Sequence, residues 1–276
     1  MPRIFFTAVL VFLFTSVVAA QAQEAEPATP ASVPAATRSQ AECAGFISET
    51  PIPHDLFVIG GGDDDFRSVV RQFTEGESIF LSKAGEIAVG TEYRVIRPAH
   101  EIFGTTRYTG QHSDINKLGT PYEDVAVVKV SHVNPEGVVA RVTFSCEPIF
   151  PGDTLVSFQP RTIPEYTVSP PLDHFAPLDK SKTGGRIVGT RNNFGFLGGE
   201  SIIYMSLGGK DGTTVGRRFR IYKRTSSGTS GFSATQPAPP ETVGEAVVLS
   251  VQSRSSVAIV VSSYREISAG DYVEAE

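Results

Sequence analysis

The sequence predicts an all-β protein built as two tandem small β-barrel-like units, and three observations carry that prediction. Glycine and proline are frequent (26 and 19 of 276 residues), while methionine and tryptophan are scarce (2 and 0). Such a composition suits many turns and short strands better than long helices. The apolar segments are short, rich in Val and Ile, and alternate with polar residues at the two-residue period of a strand. Finally, one passage occurs twice. Gly76-Glu77-Ser78-Ile79-Phe80-Leu81-Ser82, leading to Gly90-Thr91-Glu92-Tyr93-Arg94-Val95-Ile96, returns as Gly199-Glu200-Ser201-Ile202-Ile203-Tyr204-Met205-Ser206, leading to Gly216-Arg217-Arg218-Phe219-Arg220-Ile221-Tyr222.

The chain opens on Arg3, an apolar run from Ile4 to Ala20 and the small-x-small triplet Ala20-Gln21-Ala22. Residues 1–22 therefore read as a signal peptide, and export to the periplasm or envelope is expected, with no membrane span after cleavage. Residues 23–42 are rich in Ala and Pro and poor in large apolar groups, which predicts a disordered tether. Export makes a Cys43–Cys146 disulfide the expectation for the two cysteines.

The first unit is placed at residues 43–159. Leu56 to Ile59 reads as a strand stopped by Gly60-Gly61-Gly62, and Asp63-Asp64-Asp65 follows as an acidic turn. Phe66, Val69, Val70 and Phe73 have helical spacing. After the repeated passage, Pro98 ends a strand. Residues 98–122 read as a long polar loop holding His100, Phe103, Tyr108, His112 and Tyr122, long enough to suggest a functional role. Val125–Val130 and Val138–Phe144 follow as strands around the turn Asn134-Pro135-Glu136-Gly137.

Residues 160–182 contain Pro160, Pro164, Pro170, Pro171 and Pro177 and read as a stiff, exposed linker. The second unit, 183–276, repeats the plan. Arg186–Thr190 answers the first strand, Gly208–Gly212 makes an Asp-Gly turn, and Arg224–Pro240 is a Ser/Gly/Pro-rich loop. Ala246-Val247-Val248 aligns with Ala126-Val127-Val128, and Val257–Val260 with Val139–Val142. Cys146 to Asp153 lies over Tyr264 to Asp271 without a gap. These correspondences predict an internal duplication. Gly90, Gly216, Gly152 and Gly270 are expected at turns needing positive φ, with Asp153 and Asp271 accepting bonds from following backbone N–H groups.

Such wording (Gly-Glu-Ser-Ile, a glycine turn, an aromatic-Arg-aliphatic strand, Ala-Val-Val and a closing Ile-x-x-Gly-Asp) resembles the β-rich module of exported bacterial proteins that carry lysin-motif (LysM) peptidoglycan-binding domains. More loosely, it is similar to the C-terminal domain of flagellar assembly protein T. The resemblance covers roughly residues 56–158 and 183–276, and no LysM motif stands in this chain. It implies an envelope protein with peptidoglycan or another envelope protein as partner, and it assigns no functional residues, because the matched positions determine the fold.

Chemistry is sparse. Gly60-Gly61-Gly62 lacks the Lys-Ser/Thr of a phosphate loop, and the Gly-x-Ser passages lack the strand-to-helix context of a hydrolase elbow. The histidines (His54, His100, His112, His132 and His174) lack zinc spacing. His112-Ser113-Asp114 sets triad residue types side by side, whereas triad members converge from separate elements. No catalytic residue, metal or cofactor is expected. With a net charge of −6, nucleic acid is a poor partner. Arg218, Arg220, Tyr222 and Arg224 alternate onto one strand face opposite Phe219 and Ile221. That face reads mainly as a solvated surface, and with Tyr108 and His112 it supplies the candidate ligand contacts. The expected function is a non-catalytic exported envelope protein with a binding or assembly role. A scaffold contacting another envelope or flagellar-type protein is the alternative, and a hydrolase is the least favoured reading.

Overall fold

Short strands separated by glycine turns hide their edges by rolling up, and both halves of the chain do so. The structure, a computed structural model, describes residues 32–61, 72–83, 85–99, 105–168, 173–179, 181–224 and 239–276. The predicted signal peptide, Asp63–Asp65, the helical spacing from Phe66, His100, Phe103 and most of the Arg224–Pro240 loop lie outside the described residues.

In chain order the elements are β1 (Ser32–Pro34), α1 (Arg38–Glu42), β2 (Phe46–Ser48), β3 (Val58–Gly61), β4 (Ser78–Leu81), β5 (Glu92–Pro98), α2 (Gln111–Leu118), β6 (Thr120–Val133), β7 (Val138–Ser145), β8 (Thr154–Ser157) and β9 (Glu165–Thr167). The second unit adds β10 (Gly184–Thr190), β11 (Ile202–Met205), β12 (Arg218–Lys223), β13 (Glu241–Val251), β14 (Ser256–Ser263) and β15 (Tyr272–Ala275). The fold is all-β, and the second unit is a closed barrel in the order β10-β11-β14-β13-β12-β15. The first is a sheet in the matching order β3-β4-β7-β6-β5-β8, with β2 added on β6. Its ends meet at the Phe57–Thr154 bridge and through the bond from Val58 N to Asp153 O (2.9 Å).

The units share more than strand order. Register shifts fall at Val58/Gly60 and Ile187/Gly189, at Val95/Ile96 and Ile221/Tyr222, and at two corresponding places between β6–β7 and β13–β14. Each bulge re-aims the side chains beyond it, so both interiors fill alike. Val58, Ile79, Leu81, Val95 and Ile149 line one; Ile187, Ile203, Met205, Ile221 and Ile267 line the other. Gly90, Gly152, Gly216 and Gly270 all take positive φ. Asp153 and Asp271 accept from backbone N–H groups three residues before them, Phe150 N and Ser268 N, each at 2.8 Å. They reach backwards, against the expectation of bonds to following residues.

The register corrects two alignments read from the sequence. Gly76 N donates to Val142 O (2.9 Å), and its counterpart bond, to Val260 O (2.7 Å), comes from Glu200, not Gly199. Glu200 has φ 65° where Gly76 has φ 89°, so the repeated Gly-Glu-Ser is displaced by one residue. Likewise Cys146 N bonds Val125 O and Tyr264 N bonds Val243 O, which pairs Val128 with Ala246 and not with Val248. A non-glycine residue in the left-handed region costs roughly 1–2 kcal/mol, partly offset in glycine by greater unfolded-state freedom. Glu200→Gly is therefore expected to raise stability by about 0.5–1 kcal/mol. The check is the urea midpoint at unchanged slope; a lowered midpoint counts against strain at this turn.

Three expectations about connecting segments are corrected. Residues 32–42 of the predicted tether hold β1 and α1, and Ala35, Ala36 and Ala41 are buried. Thr37 and Gln40 form a capping box that starts α1. Residues 160–182 are more than a linker: β9 pairs with β1, and Ile163 and Tyr166 pack on the core. The 98–122 stretch contains α2, whose Ile115 and Leu118, three apart on one face, are buried. Gly119, at φ 132°, ends it with a bond to Ile115 O (3.0 Å).

The two units are joined by a third core. Ala35, Ala36, Ala44 and Ile47 from the N-terminal segment and Ile115 and Leu118 from α2 pack on the outer face of the second barrel, against Val188, Tyr204, Val257 and Ile259. Gly45, with φ 70°, permits the approach, since a Cβ there would stand 2.7 Å from the Tyr204 hydroxyl.

Candidate functional site

The candidate face of β12 divides in two. Arg218 ion-pairs with Glu245 (2.8 Å) and Glu276 (3.1 Å). Arg220 is buried, paired with Glu274 (2.5 Å), and donates to the Ala176 and Pro177 carbonyls at 3.2 Å each. The expectation of a solvated face is corrected for both: residues 176–177 cover Arg220, and Arg218, partly exposed, is engaged by two carboxylates. These arginines hold the fold together and are not available to a ligand.

Tyr222 and Arg224, further along the strand, join a different arrangement. Tyr222 stacks on Tyr272 with ring centroids 5.6 Å apart and planes 19° from parallel, because β12 pairs with β15 and places the two tyrosines opposite each other. The Arg224 guanidinium lies over both rings, 5.7 Å from Tyr222 and 4.9 Å from Tyr272. Arg186 of β10 lies over Tyr272 at 4.8 Å and over Tyr108 at 4.9 Å, and donates to the Tyr272 hydroxyl at 2.7 Å. The result is a ladder of alternating tyrosines and arginines, Tyr108, Arg186, Tyr272, Arg224 and Tyr222, spanning both units. Cation–π contacts of this kind contribute about 0.5–2 kcal/mol each, more as water is excluded.

Asp114 of α2 finishes one end. It accepts from the Tyr108 hydroxyl at 3.1 Å and lies 3.7 Å from Arg186. Burial, and then the Asp114 carboxylate, push the Tyr108 phenol well above its ordinary range, so it stays a neutral donor. Burial alone pulls Arg186 down, but the Tyr272 hydroxyl and neighbouring oxygens carry it up. Gly270 allows Tyr108 to lie flat against the closing turn, where a Cβ would meet the ring at 3.1 Å. At the other end Lys223 reaches Asp271 at 3.9 Å. Burial raises the Asp271 carboxyl against the opposing Ser268 N–H and Lys223.

Of the six candidate contacts, the structure gathers Tyr108, Tyr222 and Arg224 into the ladder and sets Arg218 and Arg220 apart as structural pairs. His112 faces a separate open cavity of about 300 Å³ with Pro98, Ala99 and Thr120. Arg186 and Tyr272 were missed in the sequence because each reads as an ordinary strand residue. The usable signal was that Tyr272 follows the Gly270-Asp271 turn, which sets it in register with Tyr222.

A second polar cluster was also missed. Arg94, Glu42 and Asp124 are all buried. Arg94 pairs with Glu42 (2.5 Å) and Asp124 (3.3 Å) and donates to the Glu42 and Gln159 carbonyls. Arg161 pairs with Asp124 (2.5 Å), and its backbone N–H donates to Glu42 (3.0 Å). Two guanidiniums thus balance two carboxylates drawn from four separate segments. The Cys43–Cys146 disulfide stands beside them, with a Cα–Cα distance of 5.5 Å and a sequence separation of 103.

Among the described residues no three His, Cys, Asp or Glu side chains gather as metal ligands, and no helix is long and apolar enough to cross a membrane. Fold and site together define an all-β, disulfide-linked protein of two like units with a half-buried tyrosine–arginine ladder, in which Tyr222 is buried and Arg224 exposed. Comparison with protein-family models finds no match, and comparison with curated proteins finds none either.

Proposed function

We propose that this protein is a non-catalytic, exported cell-envelope protein that binds an envelope glycan carrying carboxylates, with peptidoglycan as the candidate. The observation that carries this reading is the ladder, above all the exposed Arg224 over two stacked tyrosines. The electron-rich face of a tyrosine suits the C–H face of a sugar ring, and a guanidinium grips a carboxylate in bidentate fashion. A disulfide is compatible with an oxidising compartment, in keeping with export. The common strand order and matching bulges support descent of the two units from one by duplication.

Co-sedimentation of the mature protein with purified sacculi tests the reading. Retention is expected, and Arg224→Ala is expected to weaken it about tenfold, as loss of one desolvated cation–π and carboxylate contact would. Arg224 is itself exposed but lies over the buried Tyr222, so that variant is expected to unfold cooperatively at a somewhat lower temperature than the parent. Absence of retention by the parent protein overturns the glycan reading. Assembly with another envelope protein is favoured by one separate observation, the exposure of Ile59 and Phe80 on the first unit. Crosslinking in intact cells distinguishes the two.

A further inference from the structure

The same outer face exists on both units, and the described residues cover only one of them. On the second unit Val188, Tyr204 and Val257 point outward and are at most 2% exposed, because Ala44, Ile47 and α2 lie on them. The matching register places Ile59, Phe80 and Val139 at these positions on the first unit. There Ile59 is 52% and Phe80 37% exposed, and Ile59, Phe80 and Val139 line an open groove of about 280 Å³. A repeat at the end of a series is normally made polar on its free face. This one is so only in part: Ile259 and Val247 give way to Arg141 and Lys129, while the Ile59–Phe80–Val139 strip stays apolar.

The contact within the chain is head-to-tail. The segment that crosses Arg94 (its Nη1 donates to Glu42 O at 2.8 Å) runs on to cover the second unit. A corresponding segment crosses Arg220, whose Nη1 donates to Ala176 O at 3.2 Å; it is tied to its own barrel by Thr242 N to His174 O (2.7 Å) and Asp179 N to Glu274 (2.9 Å), and among the described residues it covers no other barrel. It carries Phe175, 60% exposed, flanked by the exposed carboxylates of Asp173 and Asp179. Beyond the groove, whose own lining includes Glu136, Arg141 stands two residues past Val139 on the same face, with Lys129, 3.8 Å from Glu92, across from it.

We propose that the Ile59–Phe80–Val139 strip of one copy receives residues 173–179 of a second copy, in a head-to-tail contact that repeats the one between the units of each chain. Heterologous contacts of this type extend into rings or filaments. Phe175 then fills the apolar strip, and its flanking aspartates meet Arg141 and Lys129.

Sedimentation velocity on the mature protein tests this. The parent is expected to associate with rising concentration, its weight-average mass increasing about twofold or more. Phe80→Glu removes the receiving strip and Phe175→Glu the inserted group, so each variant alone is expected to stay monomeric. An equimolar mixture of the two retains one working strip and one working insert, and is expected to form dimers and nothing larger. Ile59→Lys serves as a second strip variant should Phe80→Glu lose cooperative unfolding. A parent that stays monomeric at its highest soluble concentration overturns the proposal. So does association untouched by these changes, or a mixture that never dimerises.

Discussion

Replacing Arg94 by methionine is expected to lower the unfolding free energy by about 3–5 kcal/mol, the cost typical of removing one partner from a buried ion pair. Methionine fills similar space, so the loss is electrostatic. Glu42 is left with the Arg161 backbone N–H, Asp124 with Arg161 and the Gly45 N–H, and the enclosed cluster changes from neutral to a net negative charge. Restoring neutrality should restore stability: Arg94→Met combined with Glu42→Gln is expected to recover a sizeable part of the loss. Urea unfolding of the four proteins in that cycle measures it. A single variant within about 0.5 kcal/mol of the parent, the range of an ordinary surface change, shows that the cluster does not hold the N-terminal segment.

Removal of the disulfide ranks second. Cys43 ends α1 and Cys146 follows β7, so the crosslink closes a span of 103 residues. The chain-entropy treatment assigns roughly 4–5 kcal/mol to a loop of that length, and native disulfides usually contribute about 2–5 kcal/mol. The Cys43→Ser/Cys146→Ser double variant is expected to lose an amount in that range. Chemical denaturation with and without reductant measures the same quantity in the parent. Because Cys43 adjoins Glu42, crosslink and ion cluster hold the same few residues. Combining the serine pair with Arg94→Met should therefore cost less than the two losses added, since a segment already released has no second anchor to lose. Additive losses count against a shared role.

Much of the architecture could be read from the chain because strands and turns leave local marks. Alternation in Val138–Phe144 places Ala140 and Val142 inward, and both are buried. Register is not local, and there the reading slipped. Gly199-Glu200-Ser201 looks like Gly76-Glu77-Ser78, yet the bonds to Val260 and Val142 are what choose the residue at the turn, and they choose Glu200. Order in residues 32–42 was invisible for a related reason. Ala35 and Ala36 bring little apolar area of their own, and they are buried because small side chains let their backbone approach the second barrel. The ladder was half legible, since Tyr222 and Arg224 share a strand face, but their neighbours Tyr272, Arg186 and Tyr108 arrive from three other elements. No periodicity in the chain relates Arg94 to Glu42, Asp124 and Arg161, which are brought together only by folding.

The seam between the units also sets a timetable. The Tyr204 hydroxyl donates to Ala44 O across 160 residues, and the Ser255 hydroxyl donates to Ile47 O across 208. Growing chains emerge N-terminus first at roughly 5–20 residues per second, so the seam waits on the order of ten seconds or more for its second half. Arg94, Asp124, Cys146 and Arg161 all emerge earlier, so every partner that holds the N-terminal segment to the first unit precedes the second barrel in the chain. The later strands then meet a surface already in place. Sequential assembly is the expected result, with the first unit as the template on which the last-made barrel settles.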